Sequence, residues 1–131
     1  MIRIRYSPGE VELEGTQISY LAIRNQIIRI ANSDEIGASL ESESGFDPAP
    51  YGQALIGLDI VKNKGPILAI TKGDRLEISG SPEFLLVLAS NLPWENTLRN
   101  LAEPYHIHFD AAGWPNEISV NSAEMVFSLT R

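Results

Sequence analysis

The feature that most constrains this chain is its likeness to itself at half its length. Displaced by 65 positions, "VELEGTQISYLAIRNQI" (Val11 to Ile27) lies over "LEISGSPEFLLVLASNL" (Leu76 to Leu92) without a gap. Glu12/Glu77, Gly15/Gly80 and Leu21/Leu86 are identical, and apolar residues coincide at Val11/Leu76, Leu13/Ile78, Tyr20/Leu85, Ala22/Val87, Ile23/Leu88 and Ile27/Leu92. The same displacement lays "ALIGLDIV" (Ala54 to Val61) over "SVNSAEMV" (Ser119 to Val126), matching Asp59 to Glu124 and Val61 to Val126. A gap-free match at half of 131 residues points to two copies of one unit. The alternative is chance likeness between two segments that both pass from a strand into a helix. Duplication predicts that residues 1 to about 62 and 66 to 131 superpose, with the boundary in Lys62-Asn63-Lys64-Gly65.

Each half reads as strand, strand, helix, strand, strand. "IRIRY" and "EVELEG" alternate around "SPG", as a hairpin requires, and "ILAIT" and "RLEISG" alternate around Lys72-Gly73-Asp74. Thr16 and Ser81 then stand where a helix N-cap oxygen is wanted, Pro82 suits a first helical turn, and Gly15 and Gly80 are expected to ease the change of direction. Tyr20, Ile23, Ile27 and Ile30 recur at helical steps, which predicts a helix from about Gln17 to Ala31 stopping near Asn32. A second, apolar almost all round, starts at Pro82 and breaks at Pro93, after which Trp94, Leu98 and Leu101 support another short helix. "SGFDPAPYG" (Ser44 to Gly52) is a surface loop. The expected fold is α+β: an antiparallel sheet with both helices on one face and a pseudo-twofold axis between the halves. Residues 1–131 form one domain on this reading, because a unit of half this size has a single helix with which to cover its sheet.

Charge and residue type then narrow the function. The net charge is −7 and the ten basic residues are scattered, so no basic patch exists to release counterions from nucleic acid or to hold an anionic membrane. With no cysteine, disulfides and thiolate chemistry are excluded, as is any zinc site built on cysteine. The longest apolar run, Phe84 to Ala89, is far short of a membrane span, and "MIRIRYSPGE" lacks the apolar core of a signal peptide, so a soluble, cytoplasmic protein is expected. No nucleophile elbow, phosphate-loop spacing or cofactor pattern is present, and none is expected to be needed.

Both histidines fall in "YHIHFD", where the two-residue period sends Tyr105, Ile107 and Phe109 towards the helices and His106, His108 and Asp110 to the other face. His106, His108 and Asp110 could share a metal such as zinc or manganese, which would make a small metal-dependent enzyme, and one imidazole could serve as a general acid or base. No third histidine exists, however, and the 65-residue displacement puts Glu41 and Glu43 over His106 and His108, with Leu40 over Tyr105. Both copies then show one apolar-in, polar-out strand. The preferred expectation is a solvated face with no metal of its own, carrying Glu41, Glu43, His106, His108 and Asp110, on which a protein partner docks. Trp114, in the turn "AAGWPNE", either packs on the sheet end or stands out as a binding anchor.

Through "VELEGTQISYLAIRNQI" and "HIHFD...NEISVNSAEMVFSL" the chain resembles a family of predicted bacterial immunity proteins encoded beside polymorphic toxins, small α+β domains with an "x-E-I-x-G" strand before a helix and a histidine-bearing strand before a final "S-x-E-hydrophobic" strand, here Ser122-Ala123-Glu124-Met125-Val126. The resemblance spans about half of the chain and carries no site residues. It implies a protein that neutralises a toxin by covering its active surface, and an acidic face suits a basic toxin. A regulatory or assembly module, dimerising through an edge strand, is the remaining reading.

Overall fold

The computed structural model describes residues 1–94 and 105–130. The chain runs β1 (Arg3–Ser7), β2 (Glu10–Thr16), α1 (Gln17–Ala31), β3 (Gly37–Glu41), β4 (Gln53–Leu55), β5 (Gly57–Lys62), β6 (Leu68–Lys72), β7 (Arg75–Gly80), α2 (Pro82–Asn91), β8 (Tyr105–Phe109) and β9 (Glu124–Thr130). The fold is α+β. Both expected hairpins form, each closed by a two-residue turn in which Gly9 or Gly73 takes a positive φ, of 89° and 64° respectively. Strands β1 and β6, and helices α1 and α2, start 65 residues apart.

Local chemistry explains the helix ends unequally. The Thr16 side chain accepts the backbone N–H of Ser19, which caps α1, and the Asn32 N–H closes its last turn on the Ile28 carbonyl. Ser81 sits at the N-cap of α2 but its hydroxyl makes no capping bond and is buried without a partner among the described residues; Pro82 opens the helix instead. Gly15 and Gly80 stand where strand passes into helix, as expected, but without a positive φ. There a Cβ would press to 2.8 Å from the Ile2 side chain and 2.5 Å from that of Ile67. Of the short helix expected beyond Pro93, Leu98 and Leu101 lie outside the described residues.

One antiparallel sheet was expected; two mixed sheets are present, ordered β4-β1-β2-β9-β8 and β3-β5-β7-β6. Each joins the hairpin of one half to the closing strands of the other, through the parallel pairs β2·β9 and β5·β7. Alternation along a strand fixes which face is buried and leaves open which strand lies alongside, so the exchange could not be read from the pattern. The helices pack mainly on each other, and α1 touches β2 in one sheet and β3 and β5 in the other. A single core results, in which Ile4, Leu13 and Phe127 of the larger sheet meet Leu58, Ile60 and Leu76 of the smaller, with Tyr20, Ile27 and Leu85 from the helices. The Tyr20 hydroxyl, fully buried, lies 2.6 Å from the Leu13 carbonyl oxygen and 2.9 Å from that of Ser128, at the seam between the halves.

Strand register corrects the displacement that the sequence suggested. Arg75 pairs with Gly57 while Glu10 pairs with Glu124, so with the hairpins laid together at 65 residues the closing strands would be offset by 67, and Asp59 would fall with Val126 and not with Glu124. Following the pairing outward, Val61 faces Gly37 and Ser128 faces His106, which puts Leu40 at the place of Phe109 and Ser39, with no glutamate, at that of His108. The connections on either side of these strands differ in length between the halves, and the gap-free comparison could not see it.

Candidate functional site

Pleating sends Ile4, Val11, Leu13, Met125, Phe127 and Phe109 of the larger sheet into the core and leaves the alternate residues on an outer face. Its rows, read across β1, β2, β9 and β8, are Arg3, Glu14, Ser128, His106 and then Arg5, Glu12, Val126, His108. Glu10 and Glu124 pair in the row beyond. With Glu43, which reaches Arg3 at 3.0 Å, the face holds, among the described residues, five carboxylates against two guanidinium groups. Both guanidiniums are taken up within the face.

A continuous polar chain crosses it. Arg5 donates to Glu12 at 2.7 Å and to Glu14 at 3.2 Å, and its side chain is only 12% exposed. The Ser128 hydroxyl donates to the other Glu12 oxygen at 3.1 Å, and the His106 Nδ1 lies 3.0 Å from the same hydroxyl. Serine thus stands between carboxylate and imidazole, unlike a nucleophilic triad, where the imidazole is in the middle and frees the serine to attack. Ser128 is also buried, at 6% exposure. The arrangement braces a surface.

The loop from Ser42 to Gly52 covers the β1 side of this face. Phe46 lies under both guanidinium groups, 5.2 Å from Arg3 and 5.1 Å from Arg5, and the Tyr51 hydroxyl donates to Glu10 at 2.5 Å. Burial, and then the bond to Glu10, push the Tyr51 phenol far above its ordinary range, while the hydrogen bond from Arg3 holds the Glu43 carboxyl below its own. On the β8 side His106, His108 and Glu124 are exposed among the described residues.

The residues expected to share one face are therefore divided. His106 and His108 are on the outer face of the larger sheet, but Glu41 is on β3 in the smaller sheet, within 3.4 Å of Arg75. Glu43 returns to the larger sheet, its N–H bonding the Ile2 carbonyl, although beyond the end of β3. Asp110 is occupied by the turn after β8, where it accepts the Gly113 N–H at 2.9 Å. Trp114 is half-buried against Phe109, 5.4 Å between ring centroids, so it packs. Among the described residues no group of three or more His, Asp or Glu is close enough to hold a metal ion. Sequence reasoning passed over Arg5, Glu12, Glu14 and Ser128; the alternating "R-I-R" and "E-V-E-L-E" were the available signal, and Ser128 in "VFSL" gave none.

The smaller sheet carries a second ion cluster on its outer face, where Arg75 holds Asp59 through Nε and Nη2, each at 3.0 Å, with a further contact to the Leu40 carbonyl. The guanidinium occupies the space over Gly57, where a Cβ would fall 2.1 Å from Nη1. No family model, no curated protein and no solved structure matches this chain.

Proposed function

We propose that the chain is a non-enzymatic protein-binding module of the immunity type, which neutralises a basic partner such as a nuclease toxin through the outer face of its larger sheet. The observation that carries this is the excess of carboxylates on that face, Glu10, Glu12, Glu14, Glu43 and Glu124 against Arg3 and Arg5. An acidic surface speeds encounter with a basic one, and the Arg5–Glu12–Ser128 bonds hold it rigid, which lowers the ordering cost of association. The likeness to immunity proteins in the same strands agrees with this reading. It needs no metal or cofactor and suits a cytoplasmic protein; no helix among the described residues is long and apolar enough to cross a membrane.

Compared with the docking face expected from sequence, Glu41 drops out, Asp110 is taken up by the turn after β8, and Glu10, Glu12, Glu14 and Glu124 enter. The metal-dependent enzyme is the weaker reading, since His106 Nδ1 lies against the Ser128 hydroxyl, Asp110 accepts the Gly113 N–H, and among the described residues no group of three or more His, Asp or Glu is close enough to hold a metal ion. One observation favours an assembly module as a second reading. The bonds Lys62 N–H to Ile36 and Ser42 N–H to Ile56 turn the even-numbered residues of β3 towards β5, so the backbones of Gly37, Ser39 and Glu41 face a free edge. Light scattering of the purified protein distinguishes a homodimer from a monomer.

The test of the main reading is co-expression with the product of the gene beside its own. Relief of growth inhibition by the wild type, weakened by Glu124→Lys, supports it. Glu124 is exposed and faces Glu10, so reversing its charge relieves a like-charge pair and leaves the fold intact. A harmless neighbour, or relief that Glu124→Lys leaves unchanged at low salt, contradicts it.

A further inference from the structure

We propose that His106 is held in a single tautomer, with the proton on Nδ1, and that its bare Nε2 accepts an N–H from an arginine or lysine of the basic partner. This rests on the reading of the acidic face as a docking surface, and it names the atom through which that surface meets its partner's cation.

The Ser128 hydroxyl has one hydrogen and two polar neighbours, the Glu12 carboxylate oxygen at 3.1 Å and the His106 Nδ1 at 3.0 Å. Glu12, bound to Arg5 through its other oxygen, offers only acceptors. A hydrogen turned towards the ring would leave the serine lone pairs facing the carboxylate, whereas a hydrogen turned towards Glu12 makes a charge-assisted bond. The serine therefore donates to Glu12 and accepts from Nδ1, which must carry a hydrogen. In the neutral ring Nε2 is then an unprotonated acceptor. The ring is exposed, and Nε2 has no partner among the described residues.

The surroundings select the donor. Glu14 and Arg3 share the row of His106, Glu12, Arg5 and His108 occupy the next, and Glu43 is bound to Arg3. Both guanidiniums are engaged by carboxylates, so the ring faces a field of net negative sign that favours a cationic donor over a neutral one. A second proton on the ring would turn Nε2 into a donor pointing at a donor and would add a positive charge to the face.

The tautomer can be tested with no partner present. Nitrogen chemical shifts of the imidazole rings at about pH 8, where an ordinary histidine is neutral, should show His106 protonated at Nδ1 and should lose that pattern in Ser128→Ala. His106 protonated at Nε2 in the wild type overturns the inference, whatever the face binds. Hexa-arginine then serves as the probe at low salt. Its affinity at about pH 8 should fall about tenfold in His106→Ala and by less than about twofold in His108→Ala. Equal loss in both histidine variants would reduce the effect to the general surface and overturn the acceptor role. No saturable binding would overturn the docking surface itself, and the inference with it.

Discussion

Replacing Tyr20 by Phe tests the seam between the halves. The hydroxyl is fully buried and has the Leu13 and Ser128 carbonyls, from the parallel strands β2 and β9, at 2.6 and 2.9 Å. Phenylalanine keeps the ring and its edge-on contact with Phe127, 6.3 Å between centroids, so no cavity opens and the change isolates the hydroxyl. Removing one partner of a buried hydrogen bond costs about 1–3 kcal/mol, and two carbonyls competing for one donor place the expectation near 2 kcal/mol. With a urea slope of about 2 kcal/mol/M the unfolding midpoint should fall by about 1 M with the slope unchanged. A loss under about 0.5 kcal/mol would refute the reasoning, because the carbonyls would then be satisfied without the tyrosine.

Gly57→Ala should displace the Arg75 guanidinium from Asp59 and cost about 1 kcal/mol, and in an Arg75→Ala background the same change should cost little; a thermodynamic cycle measures the difference. Hydrogen bonding from Arg75, and then from Ser39, holds the Asp59 carboxyl below its usual range. Its contribution is therefore present above the unfolded value of about 3.9 and is lost as pH falls through the folded value, so Asp59→Asn should flatten the acid limb of the stability profile below about pH 4. Phe46→Ala removes the ring under Arg3 and Arg5 and should speed hydrogen exchange at the Glu43 and Gly52 amides while leaving the core amides protected.

The elements legible in the sequence were those specified by neighbours along the chain. Tyr20, Ile23, Ile27 and Ile30 mark a helical stripe wherever the helix ends up, and "SPG" and "KGD" close hairpins by turn chemistry alone. Strand partners were not legible. The apolar-polar alternation of β5 and β9 serves equally for a single sheet and for the two exchanged ones, and loops of unequal length hid the 67-residue correspondence of those strands. The same blindness divided the candidate site. His106 and His108 were recognised as outward-facing because alternation decides that, but their neighbours depend on register: Ser128 and Val126, with Glu14 and Glu12 beyond, stand where Glu41 and its row were expected. Ser81 shows a limit of another kind, since it has the residue type and position of a cap and its hydroxyl makes no capping bond.

Docking of a basic partner on the outer face of the larger sheet can be seen residue by residue in amide chemical shifts during a titration with hexa-arginine at low salt. Saturable shifts are expected at Glu12, Glu14, His106, His108, Glu124 and Ser128, fading as ionic strength approaches the point where charges are screened within about 8 Å. Shifts centred instead on Glu41, Asp59 and Glu77 of the smaller sheet, or no saturable shifts at all, would contradict it.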